Sequence, residues 1–171
     1  MYDVDKKKFY ESATKRLLDK INDMNLAPTV KNRAVFFTKL FREAFKYDEI
    51  KQYTFVTPAN KIWDLGYDSV GFCRASSIAF SIIMGLQDWQ LMYIDDSEWE
   101  AREPHHYLKH LPSGEFFDIT YDQFAINGYT VPYEAGYNAI FGLSQNDTPI
   151  RFARALDIDL INILKYGPKG K

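Results

Sequence analysis

The stretch HHYLKHLPSGEFFDITY, residues 105–121, reads as two strands of a hairpin closed by a turn. Aromatic and branched residues recur in both arms, and Pro112-Ser113-Gly114 supplies the restricted φ, the short polar side chain and the left-handed freedom that tight turns use. All three histidines of the chain, His105, His106 and His110, lie in the first arm, and Asp118 lies in the second. If Leu111 and Glu115 flank a three-residue turn, His106 and Asp118 share a face as diagonal neighbours. On that register His110 is on the same face nearer the turn, and His105 points the other way. A loop one residue shorter or longer would change this register, so the sequence permits the geometry without demanding it.

Working back along the chain, WQLMYID (residues 89–95) is a third apolar and aromatic strand, expected to pair antiparallel with the hairpin. Before it stands GFCRASSIAFSIIMG (residues 71–85), a helix with Ala75, Ile78, Ala79, Ile82 and Ile83 on one face and Gly85 as its terminator. Cys73 falls in the first turn of that helix. Residues 47–70 lack periodicity and are punctuated by Pro58, Asn60 and Gly66, as an approach loop would be. Two amphipathic helices precede it: Phe9, Ala13, Leu17, Ile21 and Met24 mark the first, and Phe37, Leu40, Phe41, Ala44 and Phe45 the second, with Ala27-Pro28-Thr29 between. Residues 123–143 fit strand or loop equally. Asp147-Thr148-Pro149 then opens a C-terminal helix through Ile150, Ala153, Leu156, Leu160, Ile161 and Leu164. The expected architecture is α+β in a single domain, residues 1–171. A helical N-terminal part (1–47) precedes a nucleophile-bearing helix packed on an antiparallel sheet (60–124), and a C-terminal helix (147–165) closes the chain.

Composition narrows the function. A net charge of −2 and a pI near 5.9 argue against nucleic acid as a partner, because phosphate binding needs a clustered basic face, and Lys6–Lys8 is short and flanked by acids. The single cysteine makes no internal disulfide, the N-terminus lacks the apolar segment of a secretory signal, and no run approaches the roughly 18 to 20 apolar residues of a membrane span. A soluble, cytoplasmic protein without a membrane partner is expected; the pattern specifies no oligomeric state.

A thiol is a useful nucleophile only as thiolate, and a helix N-terminus and a neighbouring imidazole are the usual means of stabilising one. Cys73 has the first by position and gains the second if His106, oriented by Asp118, folds back onto it. His106 and His110 are four apart, a zinc spacing on a helix but not on a strand, so neither metal nor other cofactor is expected. The loop DDSEWEARE (residues 95–103) holds five acids against one arginine and should overhang the site. Asp95, Asp96 and Glu98 with Trp99 would form a rim suited to a basic protein or peptide segment.

The order Gly-Phe-Cys at a helix start followed by HHYLKHLPSGEFFDITYDQF resembles the core of the transglutaminase-like and papain-like cysteine enzymes, over about residues 60–124. That resemblance implies a Cys-His-Asp triad of Cys73, His106 and Asp118, with the cysteine opening a helix packed on an antiparallel sheet. The chain departs from the pattern in placing Arg74 directly after the cysteine, where members often carry an aromatic residue. It also lacks a glutamine shortly before Cys73; Asn60, Trp63 and Tyr67 are the upstream candidates to support an oxyanion beside the Cys73 N–H. The implied activity is cysteine-dependent acyl chemistry on an amide of a protein or peptide, as a peptidase, amidase or glutamine deamidase. Transfer to an amine, as in a transglutaminase, and a non-catalytic protein-binding module are the alternatives on the same fold.

Overall fold

The computed structural model describes residues 3–55 and 66–167. Its architecture is α+β, with helices packed around a four-stranded antiparallel sheet. Helix α1 (Asp3–Asp23) buries Tyr10, Ala13, Leu17 and Ile21 at three- and four-residue steps, with Met24 just beyond its end, and leaves Lys15 and Asp19 as an exposed ion pair on its outer side. Phe9 is half-buried, and the adjacent Tyr10 takes the buried position instead. Helix α2 (Pro28–Ala44) starts with proline at its first turn and contributes Ala34, Phe41 and Ala44 to the core.

Between α2 and the sheet lies a buried polar clamp that no apolar periodicity announces. Arg42 is 1% exposed, and all five of its N–H groups are spoken for. Two meet the Asp122 carboxylate at 2.7 and 3.0 Å, and the others reach the Thr14 hydroxyl and the carbonyls of Tyr10 and Ile119. The Tyr67 hydroxyl adds a 2.7 Å bond to Asp122, and Tyr10 donates to the Arg42 carbonyl. A buried ion pair is tolerable only when its remaining polar atoms are satisfied in this way. One consequence bears on the site: α1 and α2 are tied to the segment 119–122, which directly follows Asp118.

Helix α3 (Cys73–Met84) is buried along almost its whole length and packs on α2, on the sheet and on the C-terminal helices. Gly71, at φ +84°, turns the chain into it in a conformation that a side chain would strain, and Phe72 stacks on Phe45 at 4.3 Å to fix where it begins. Strands β1 (Trp89–Ile94), β2 (His105–His110) and β3 (Glu115–Phe117) are followed by a short helix, α4 (Asp122–Ala125), and a two-residue strand, β4 (Tyr137–Asn138). The sheet order is β3-β2-β1-β4. Trp89, Leu91, Leu108 and Phe117 join the core beneath α3, while Met92, Ile94 and Tyr107 pack with Trp99, Ala101, Phe124 and Val131 on the opposite face. Both faces of the sheet are therefore covered.

One expectation about the elements needs correction, and one open reading is settled. The C-terminal helix is two helices, α5 (Thr148–Ala155) and α6 (Leu160–Tyr166), because Asp157 adopts a left-handed conformation at φ +61° and breaks the run. The sheet has a fourth strand where residues 123–143 had been equivocal, and it runs close against its neighbours: a methyl group on Gly136 would sit 1.9 Å from the Tyr107 hydroxyl. No described helix is long and apolar enough to cross a membrane.

Candidate active site

The β2–β3 connection holds four residues, 111–114, because His110 pairs with Glu115, Lys109 with Phe116 and Leu108 with Phe117. Continued by one step, that register sets Asp118 opposite Tyr107 and diagonal to His105. The expected partner of Asp118 is thereby corrected. His105 Nε2 lies 2.7 Å from Asp118 Oδ2, while His106 turns to the other face and pairs across strands with Tyr93. The loop is one residue longer than a three-residue turn, and a one-residue slip moves every side chain to the opposite face.

Asp118 is 4% exposed and fully engaged. Its Oδ2 also accepts from the Tyr133 hydroxyl at 3.0 Å, and its Oδ1 accepts from the Thr120 backbone N–H at 3.3 Å. Because the carboxylate can only accept, His105 carries a proton on Nε2, and Nδ1 is left for another group. The His105 ring is completely buried, edge-on to Phe124 at 4.7 Å and stacked near Tyr107 at 5.8 Å. Its Nδ1 has no hydrogen-bond partner of ordinary geometry, and Cys73 is, with Asp118, one of the two side chains whose interactions raise the ring's basicity.

Cys73 is the first residue of α3 and half-buried. No side chain caps this helix, so the N–H groups of its first turn keep their partial positive charge toward the thiol and whatever is bound beside it. Burial alone would push the thiol up, but hydrogen bonding and charge interactions with His105, and then with His106, outweigh it and bring Cys73 down to about 5. Burial likewise opposes a charged His105, yet the charge and hydrogen bond of Asp118, aided by Cys73, raise it to about 10. Between those limits the favoured state is a thiolate–imidazolium pair.

Cys73 opens onto a cavity of about 610 Å³. Its walls include Tyr53, Phe55, Val70, Tyr93 and Phe124, and Arg74, Glu103 and His106 also line it. Gln123 also lines it; its Oε1 accepts from the Gly71 N–H at 3.3 Å and its amide donates to Thr120 at 2.9 Å, joining the turn before Cys73 to the turn after Asp118.

The remaining expected residues fall elsewhere. Tyr67 is not an oxyanion donor, since its hydroxyl is committed to Asp122 in the Arg42 clamp. Asn60 and Trp63 lie outside the described residues. Trp99 is not an exposed rim aromatic: it is 9% exposed, donates from Nε1 to the Glu103 carbonyl at 2.7 Å and packs edge-on to Phe124. Asp96 and Glu98 are exposed, and Asp95 is half-buried, accepting from the Asp96 N–H, so the acids stand outside the cavity, whose lining from this loop is Glu103 and Pro104. Asp95 and Asp96 nonetheless act on the cavity wall: burial first, and then these two among its neighbours, raise the Tyr93 phenol. His110 bonds the Ser113 hydroxyl at 2.8 Å and packs on Trp89, a role in the hairpin rather than the site. On a strand, four residues place His106 and His110 about 13 Å apart, too far to share a metal ion.

Sequence reasoning missed His105, Tyr133 and Gln123. For His105 the only signal was the length of the turn; for Tyr133 and Gln123, which reach the site from segments without periodicity, there was none. No protein-family model matches the chain, nor does any curated protein or solved structure.

Proposed function

We propose that the protein is a cysteine-dependent enzyme of amide acyl chemistry, similar in its logic to transglutaminase-like and papain-like enzymes, with Cys73, His105 and Asp118 as its triad. The observation that carries this reading is the buried His105 ring, held through Nε2 by Asp118 at 2.7 Å, with Nδ1 unpaired and Cys73 among the side chains that interact with it. A ring locked in one tautomer by a carboxylate, with its other nitrogen on a thiol at a helix N-terminus, is arranged to transfer a proton.

In the reaction, the Cys73 thiolate attacks the amide carbonyl, and the negative charge on oxygen develops beside the N–H groups that open α3. His105 gives its Nδ1 proton to the leaving nitrogen as the C–N bond breaks, leaving an acyl thioester on Cys73. Water then releases a carboxylic acid, or an amine takes the acyl group. Hydrolysis is the simpler outcome because it needs no second substrate site. The aromatic cavity walls favour an acyl donor with an apolar or planar group beside the amide, and Arg74 and Glu103 offer opposite charges to its polar ends.

The test uses a peptide mixture with and without a fluorescent primary amine, read by mass spectrometry. The reading predicts cleaved backbone bonds, Gln-to-Glu conversions or amine incorporation that vanish with Cys73→Ala. Identical spectra for the wild type and Cys73→Ala across several peptide pools would overturn it in favour of a non-catalytic binding module.

A further inference from the structure

Two adjacent histidines act on one sulfur, yet only one of them belongs to the triad. His105 and His106 are consecutive on β2, so strand alternation sends their rings to opposite faces. Cys73 interacts with both. His105 is completely buried, whereas His106 is half-buried and forms part of the cavity wall together with Cys73. The His106 ring lies against that of Tyr93, its direct cross-strand partner, with centroids 4.8 Å apart. Its backbone carbonyl accepts from the Ser77 hydroxyl of α3 at 3.5 Å, holding this strand residue against the helix that carries the nucleophile.

The two halves of a thioester reaction make different demands. In the first, the leaving nitrogen is bonded to the carbon that Sγ attacks and is delivered to the buried Nδ1 of His105 by that bond. In the second, the acceptor arrives unbound from the cavity. It must lose its proton to a group with a face on that cavity, and His105 has none.

We infer that His106 is a second catalytic residue, the base that activates the acceptor in the deacylation half of the reaction. The inference rests on the proposed function and deepens it. As the acceptor oxygen forms its bond to the acyl carbon, its O–H proton passes to His106. The tetrahedral intermediate collapses with cleavage of the C–S bond, and Cys73 leaves as thiolate. The proton on His106 then returns through water to His105, restoring the thiolate–imidazolium pair. Each turnover consumes one acceptor and releases one amine and one acyl product.

The experiment uses p-nitrophenyl acetate, whose phenolate leaves without needing a proton, so that acylation proceeds independently of either histidine's acid function. Wild type, His106→Gln, His106→Asn and Cys73→Ala are followed by stopped-flow absorbance, with mass spectrometry of the acetylated protein. At pH 8, where His105 alone should keep Cys73 largely ionised after the smaller His106 contribution is lost, both His106 variants are expected to keep a nitrophenolate burst of one equivalent, while steady turnover falls by about a hundredfold or more, the usual contribution of a positioned base. Acetyl-Cys73 should then accumulate. Hydroxylamine, a strong nucleophile that needs no base, should bring the variants' turnover back toward the wild-type value, which a distorted site would not permit. Turnover unchanged in both variants, or burst and turnover slowed in parallel, would overturn the role of His106 while leaving the triad standing. Absence of a Cys73-dependent burst in the wild type would overturn both.

Discussion

Replacing His105 by alanine should change the pH at which Cys73 reacts, and the size of the change follows from the site. With Cys73 at about 5 in place of its ordinary value near 9, the thiol is almost wholly ionised at pH 6, where an ordinary one would be about one part in a thousand thiolate. A more acidic thiolate is a poorer nucleophile, by a Brønsted factor of about 0.4–0.5 per unit, which takes back roughly a hundredfold of that roughly thousandfold gain. The net advantage at pH 6 is on the order of tenfold, and the shape of the profile is the more telling quantity. Alkylation by iodoacetamide, which is small enough to enter a 610 Å³ cavity, should be nearly flat from about pH 6 to 8. An unassisted thiol would climb close to tenfold per pH unit over that range. In His105→Ala the larger of the two imidazole contributions that offset burial is gone and only that of His106 remains, so the flat region should shrink and a rising limb should appear at higher pH. The sign holds for stability too. The depressed thiol favours folding as pH rises from about 5, and the raised imidazole favours it until pH approaches 10, so the pair's contribution is greatest between their ordinary values. A wild-type alkylation rate that rises tenfold per unit through pH 8 would refute the ion pair.

Asp118→Asn should leave the fold intact, since Asp122 and Arg42 still hold the segment, but should cost about 10²- to 10⁴-fold in turnover and move the alkylation profile to higher pH; unchanged turnover and profile would remove Asp118 from the triad. Arg42→Met strands the buried Asp122 carboxylate and should lower unfolding free energy by about 3–5 kcal/mol in urea titration, with Arg42→Met/Asp122→Leu recovering part of it; an equal loss in the double variant would show that packing rather than charge sets the cost. Neutralising Asp95, Asp96 and Glu98 together should slow encounter with a basic peptide substrate at low salt and leave iodoacetamide labelling of Cys73 unchanged, because these acids stand outside the cavity and act over a Debye length of about 10 Å at 0.1 M; a salt-independent encounter rate would exclude steering.

Where one face of an element alone is buried, the chain's periodicity is a faithful guide. The stripe of α1 was legible in this way, whereas the proline start of α2, the opening of α3 and the hairpin were legible from their turn and terminus residues. Other features depend on tertiary geometry that no local pattern carries. Arg42 sits at an ordinary helical position and looks like a solvated cation until a carboxylate 80 residues later meets it. Asp157 interrupts an unbroken apolar period by adopting a conformation available to any aspartate, so the tail reads as one helix and folds as two. Strand β4 is only two residues long, too short for a period to show, and is held by antiparallel pairing of Tyr137 with Tyr93 and Asn138 with Met92.

The site was legible in its elements and hidden in its register. Cys73, a histidine of β2 and Asp118 do assemble, but a single extra residue in the connection exchanges the two neighbouring histidines between the sheet's faces. That exchange alters the chemistry as well as the numbering. A half-buried histidine facing the cavity, as His106 is, can be satisfied by solvent and neighbouring rings and implies little by itself. A completely buried histidine is different, because every polar atom on it must find a partner or cost free energy. Asp118 satisfies one ring nitrogen of His105, and Tyr133 and Thr120 satisfy the carboxylate in turn. If the pair served only to hold β2 to the segment after β3, the second nitrogen would be expected to have a structural acceptor as well. It has none of ordinary geometry, and beside it stands the chain's one cysteine at an uncapped helix start. An unsatisfied buried nitrogen is a standing cost to the fold, and the proposed proton exchange with Cys73 would give the fold a reason to keep it.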